Sequence, residues 1–136
     1  MAQDRSIEVR RAILVALEDD AAVTAIVPAE RIYAVAPPAD PEWPFIRYGL
    51  AEVRPFRASG LDGSRLSVTL HAFARGPQED AAAALAAAIA TALDGQVLAI
   101  EPDVPAHVAW TGSRLAREGD EADAYRATVN FAVVVA

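Results

Sequence analysis

Two segments with strict two-residue alternation constrain this chain more than anything else in it. In residues 65–75, Leu66, Val68, Leu70, Ala72 and Ala74 fall on one side, with Ser67, Thr69, His71 and Phe73 on the other. In residues 124–135, Tyr125, Ala127, Val129, Phe131, Val133 and Val135 alternate with Arg126, Thr128 and Asn130. Successive side chains of a strand point to opposite faces, so each segment predicts a strand with one core face and one mostly polar face. Between them Leu85, Ile89 and Leu93 recur four apart in an alanine-rich stretch, the pattern of a helix with a narrow apolar stripe. Its small side chains let it lie close to a sheet, and it is expected to cover the apolar face. Pro77 suits the first turn of that helix, Glu79 and Asp80 favour the positive end of its dipole, and Gly95 suits its end.

The remaining elements follow from shorter signals. Ile7, Val9, Ile13, Leu14 and Leu17 have helical spacing behind Asp4 or Ser6 as a cap, which predicts a helix over residues 6–17. Residues 21–27 add a short helical turn that Pro28 stops. Residues 31–36 and 45–54 read as strands, joined by a stiff connection containing Pro37-Pro38 and Asp40-Pro41. Residues 59–63 form a glycine-containing loop between strands, residues 101–105 a turn-rich segment, residues 107–115 a strand, and residues 117–123 a charged hairpin loop. The expected fold class is α+β, a mainly antiparallel sheet with one face covered by helices, in a single domain spanning residues 1–136.

Composition narrows the function classes. At 136 residues the chain can bury a core without staples. Cysteine is absent, which removes disulfides, thiolate metal sites and cysteine nucleophiles together. The apolar run over residues 12–17 is closed at once by Glu18-Asp19-Asp20, too short for a secretory or membrane-spanning segment. Nineteen acidic against 12 basic residues leave a formal charge of −7, which argues against a surface that grips nucleic-acid phosphates. An acidic wall can instead let DNA slide past without sticking, although net charge also serves plain solubility.

Candidates for chemistry are few. His71 and His107 each sit alone on an expected strand, without the converging ligands a zinc site needs. Ser6, Ser59, Ser64, Ser67 and Ser113 lack the glycine-flanked setting of a serine nucleophile. The acidic pairs Asp19-Asp20, Glu79-Asp80 and Asp120-Glu121 lie at helix ends or in a loop. Gly60-Leu61-Asp62-Gly63 lacks the lysine and following helix of a phosphate loop. Catalytic residues, cofactor and metal are accordingly expected to be none.

What stands out instead is a band in which Trp43, Phe45, Tyr48 and Phe56 are interleaved with Arg47, Arg54 and Arg57. Core packing accounts for some of these aromatics, while the remainder, with the arginines, have the composition of a protein–protein interface. Leu61 and Asp62 extend the expected interface into the adjacent loop, since loops on rigid scaffolds commonly carry recognition.

Read in order, Arg31-Ile32-Tyr33, Pro37-Pro38, Trp43-Pro44-Phe45-Ile46 and the Leu70-His71-Ala72-Phe73 strand leading into a helix give the chain a clear likeness. It resembles the tail-completion or tail-terminator family of long-tailed phages and gene transfer agents. The resemblance implies a structural virion protein without catalytic residues. It implies a homo-hexameric ring at the head-proximal end of the tail tube, with the tail tube protein and a neck or head-completion (stopper) protein as partners. DNA would pass through the lumen without specific binding, and no membrane is involved. The expected location is the bacterial cytoplasm during assembly, then the particle. A neck or head-tail connector is the alternative, and a small ligand-binding or enzymatic domain a further one.

Overall fold

The computed structural model describes residues 4–34, 36–58, 61–119 and 123–135, with the backbone alone described for Phe56, Ala58, Leu61 and Asp62. Three helices, α1 (Ser6–Glu18), α2 (Ala21–Thr24) and α3 (Asp80–Leu93), pack on one face of a seven-stranded sheet. The strands are β1 (Ile32–Tyr33), β2 (Phe45–Tyr48), β3 (Glu52–Ala58), β4 (Leu61–Arg75), β5 (Val97–Glu101), β6 (Val104–Arg117) and β7 (Ala124–Val135). Their order is β1-β2-β4-β7-β6-β5, with β3 also on β4. All pairings are antiparallel except β1 with β2. The α+β class and the one-sided helical cover expected from alternation are both observed.

The two alternating segments are the centre of the sheet. Strands β4 and β7 pair over twelve residues from Ser64↔Val135 to Arg75↔Ala124, which aligns their apolar sets on one face. Leu66, Val68, Leu70 and Ala72 of β4 and Ala127, Val129, Phe131 and Val133 of β7 are buried there against Val9, Ile13 and Leu17 of α1 and Leu85, Ile89 and Leu93 of α3. Each fully buried aliphatic side chain of this set contributes about 1.5–3 kcal/mol of transfer free energy. On α3 the alanines Ala82, Ala86 and Ala90 are themselves buried, which is how the helix approaches the sheet closely. The helix ends where Gly95 adopts φ 77° and donates its N–H to the Val108 carbonyl.

Several boundaries differ from expectation. The segment expected as one strand over residues 45–54 is two. Tyr48 pairs with Leu70 and Glu52 with Ser67, so three residues of one strand lie against two of β4. The extra residue interrupts the ladder and switches which parity faces the core. Gly49 occupies the crossing point, donating its N–H to the Thr69 carbonyl at 2.7 Å, where a Cβ would lie 2.7 Å from that same oxygen. Leu50 is ejected by the same irregularity and is 95% exposed.

The first expected strand shrinks to β1 because a 3₁₀ turn, Ala29–Arg31, takes its start, and Val35 lies outside the described residues. Helix α3 begins at Asp80, leaving Pro77 in the preceding bend. The turn expected over residues 101–105 is only the Pro102-Asp103 corner, Asp103 having φ 64°, between β5 and a β6 longer than expected at both ends.

Candidate interface surfaces

The sheet face away from the helices is built by register. One row across four strands runs Arg47 (β2), His71 (β4), Thr128 (β7) and Arg114 (β6). The row on one side runs Phe45, Phe73, Arg126 and Ala116, and on the other side Thr69 donates its hydroxyl to Asn130 Oδ1 at 2.9 Å. His71 is half-buried with Nδ1 3.5 Å from the Thr128 hydroxyl. Burial first, then the positive charges of Arg47 and Arg126, hold its imidazole below the usual value. Arg126 pairs with Glu118 at 3.5 Å and Arg75 with Asp123 at 3.2 Å. Arg47 and Arg114 have no carboxylate partner among the described residues. Meanwhile Glu18, Asp19, Asp20, Asp80 and Asp94 lie on or beside the helices. A net charge of −7 therefore does not describe this face, which is cationic.

At one end of the face the aromatic part of the expected band closes on itself. Phe45 stacks on Phe73 at 4.5 Å, Trp43 meets both edge-on at 5.3 and 5.8 Å, and Tyr33 meets Phe45 edge-on at 6.1 Å. Arg47 lies 5.9 Å from the Phe73 centroid. Arg31 donates to the Trp43 carbonyl at 3.1 Å and pairs with Glu42 at 3.2 Å, tying the proline-rich connection back to the sheet. Trp43, Phe45 and Arg47 are thus brought together, largely as partners of one another. Tyr48 points to the other face, into the main core, where its hydroxyl is buried with no hydrogen-bond partner among the described residues. Arg54 is exposed and binds Glu52 at 2.8 Å, and Arg57 is exposed farther along β3.

The side chains of Phe56, Leu61 and Asp62, and all of Ser59 and Gly60, lie outside the described residues. The backbone nevertheless shows that the loop expected over residues 59–63 is mostly strand. Leu61, Asp62 and Gly63 pair with Ala58, Arg57 and Phe56, beyond Ser64↔Val135, the last described pair of β4 with β7. The β3–β4 hairpin therefore runs three residue pairs past that point, about 10 Å at strand rise.

Further apolar surfaces were not foreseen. Between α3 and β6 lies a groove of about 490 Å³ lined by Ala83, Ala87, Ala90, Asp94, Trp110 and Leu115, with Trp110 46% exposed. Its walls were legible only once β6 was known to bulge between Trp110 and Gly112, which brings Leu115, of the opposite parity, to the helix side that Trp110 already faces. At the opposite edge, Arg10, Arg47 and Tyr48 line a pocket of about 420 Å³ to which Ile7, 57% exposed, and Leu50 contribute. Among the described residues no cluster of His, Asp and Glu could hold a metal ion, and no helix is long and apolar enough to cross a membrane.

The described residues thus form a sheet with helices on one face, a polar row on the other and apolar surfaces at its edges. Residues 11–136 match the family described as tail completion protein gp17, and the chain belongs to that family. It is a structural protein of a phage-type tail. Among solved structures, it is similar to a chain of the "Virion of native gene transfer agent (GTA) particle", 21% identical over 93% of each chain with TM-score 0.79. A second solved chain, 16% identical over 96% of this chain and 95% of its own, superposes with TM-score 0.61. These likenesses establish the shared fold. No curated protein matches the chain.

Proposed function

We propose that this chain is the tail terminator of its particle. Six copies close into a ring at the head-proximal end of the tail tube, stop its growth and present a surface to the neck or head-completion protein. The lumen passes DNA. Assembly takes place in the bacterial cytoplasm, and the ring then stays in the particle.

The observation that carries this reading is the one-sided sheet in a tail-completion family member. All three helices pack on one face, and the polar row Arg47, His71, Thr128 and Arg114 is left on the other. Copies arranged with that face toward an axis line a hydrated channel, while the helices form the outer wall. Likeness to a chain from a gene transfer agent virion supports a place in such a particle.

The test is electron microscopy of particles made without this protein. Tubes of uncontrolled length, returned to normal length by the wild-type chain, are expected of a terminator. Tails of normal length that fail to join heads would instead assign the protein to the neck as a connector. Native mass spectrometry with and without tail tubes then checks the six-fold stoichiometry.

A further inference from the structure

The pocket at the β1–β2 edge and the groove between α3 and β6 lie at opposite ends of the strand order β1-β2-β4-β7-β6-β5. Closed rings require such a pair, because a head-to-tail interface joins two different patches related by a rotation. Three properties of the two patches match.

The first is apolar content. Leu50 and Ile7 stand out from one edge, and the other offers a groove floored by small alanines and walled by Trp110 and Leu115. Leu50 is the most exposed of the large apolar side chains among the described residues, and the groove is large enough for a leucine and its neighbours.

The second is sign. The Leu50 edge carries Arg10 and Arg47 with no acid among its lining residues, although Asp4 lies close by, accepting from the Ser6 N–H. The groove contains Asp94, and Glu79 and Asp80 are exposed where α3 begins. Arg114 sits on the other face of β6, and Arg117 at its end lies over the Tyr125 ring.

The third is the backbone. Among the described residues, β1 pairs with β2 only as far as Tyr33↔Arg47, and past Trp110 no strand pairs with the outer side of β6. Each edge thus exposes polar backbone groups that another copy can satisfy.

We infer that Leu50 of one copy seats in the Trp110–Leu115 groove of the next, with Arg10 facing the acidic side of α3. The inference rests on the ring reading and specifies the surfaces that close it.

Because the chain has no cysteine, the contact can be tested with introduced thiols. Leu50→Cys and Leu115→Cys chains are mixed, assembled with tail tubes and treated with a short bis-maleimide. Linked pairs containing one chain of each kind are expected to predominate over same-kind pairs, and the double variant should give a ladder up to the closed ring. Assembly accompanied only by same-kind pairs, or by none, overturns the proposed contact while leaving the ring intact. Absence of assembly by the wild-type chain on tubes overturns the ring reading and this inference with it. Leu50→Asp provides a second reading: lost assembly with an unchanged melting midpoint is expected, and retained assembly refutes the contact.

Discussion

The guanidinium of Arg75 lies over the indole of Trp43, its central carbon 4.4 Å from the ring centroid. That contact joins the C-terminal end of β4 to the proline-rich connection, and Phe45 and Phe73 complete the surroundings of the indole. Trp43 therefore works within the subunit, unlike Trp110, whose indole N–H reaches only Ser113 nearby and whose ring is half exposed. The two tryptophans should separate stability from assembly. Trp43→Ala is expected to lower folding stability by about 2–4 kcal/mol, between a surface change and a full core truncation. Trp110→Ala should cost less than about 1 kcal/mol and abolish ring formation. Urea denaturation and native mass spectrometry measure both, and a reversed pattern would overturn the division of roles.

His71 gives the subunit a dependence on pH. Its imidazole is held below the ordinary value of 6.5 chiefly by burial, and further by Arg47 and Arg126. The unfolded chain takes up a proton near that value that the folded chain does not. The contribution of neutral His71 is complete above about pH 6.5 and is lost as pH falls toward the lowered folded value. The urea midpoint should drop between about pH 7.5 and 5.5, and His71→Gln should drop less. Equal drops in the two proteins would exclude His71 as the source.

Tyr48 is the reverse case of a polar group gaining little from its place. Burial raises its phenol to about 12, opposed by the nearby charge of Arg10. With no partner for its hydroxyl among the described residues, Tyr48→Phe is expected to leave stability unchanged or raise it by up to about 1 kcal/mol. Loss of more than that in thermal or urea unfolding would show that the hydroxyl has a bonding partner in solution.

DNA should pass the cationic face without being held. Arg126 and Arg75 are offset by Glu118 and Asp123, leaving Arg47 and Arg114 as the cations of the polar row without a carboxylate partner among the described residues. Two phosphate contacts per subunit give a salt dependence of about −2 in log K against log salt. Titration of labelled duplex against the isolated subunit should find weak binding with that shallow slope. Tight binding with a steep slope would mark a DNA-gripping connector.

The centre of the fold was legible because β4, α3 and β7 each bury one side against the same core, and burial on one side writes its period into the sequence. Leu66 through Ala74 and Tyr125 through Val135 could be assigned to faces residue by residue. Edges were less legible. The break at Gly49 depends on a tertiary approach to the Thr69 carbonyl, and the glycine itself is the local hint of it within residues 45–54. Short β5 does alternate at Leu98 and Ile100, a weak signal beside the neighbouring turn residues.

The aromatic-arginine band was visible as composition, but its allocation was not. Tyr48 differs from Arg47 only by one step of the pleat, yet they serve opposite faces. Leu50 and Leu115, the residues whose contact joins the copies, owe their positions to irregular pairing between β2 and β3 and in β6. Periodicity cannot anticipate such irregularities.

The β3–β4 hairpin runs about 10 Å past the last described pair of β4 with β7, so the subunit bears an arm at that end of the sheet. Copies standing side by side with parallel orientation would raise all their arms from the same rim, as a crown. Such a ring has a built-in top and bottom, so the tube and whatever follows it would meet surfaces of different shape without any additional marker of direction.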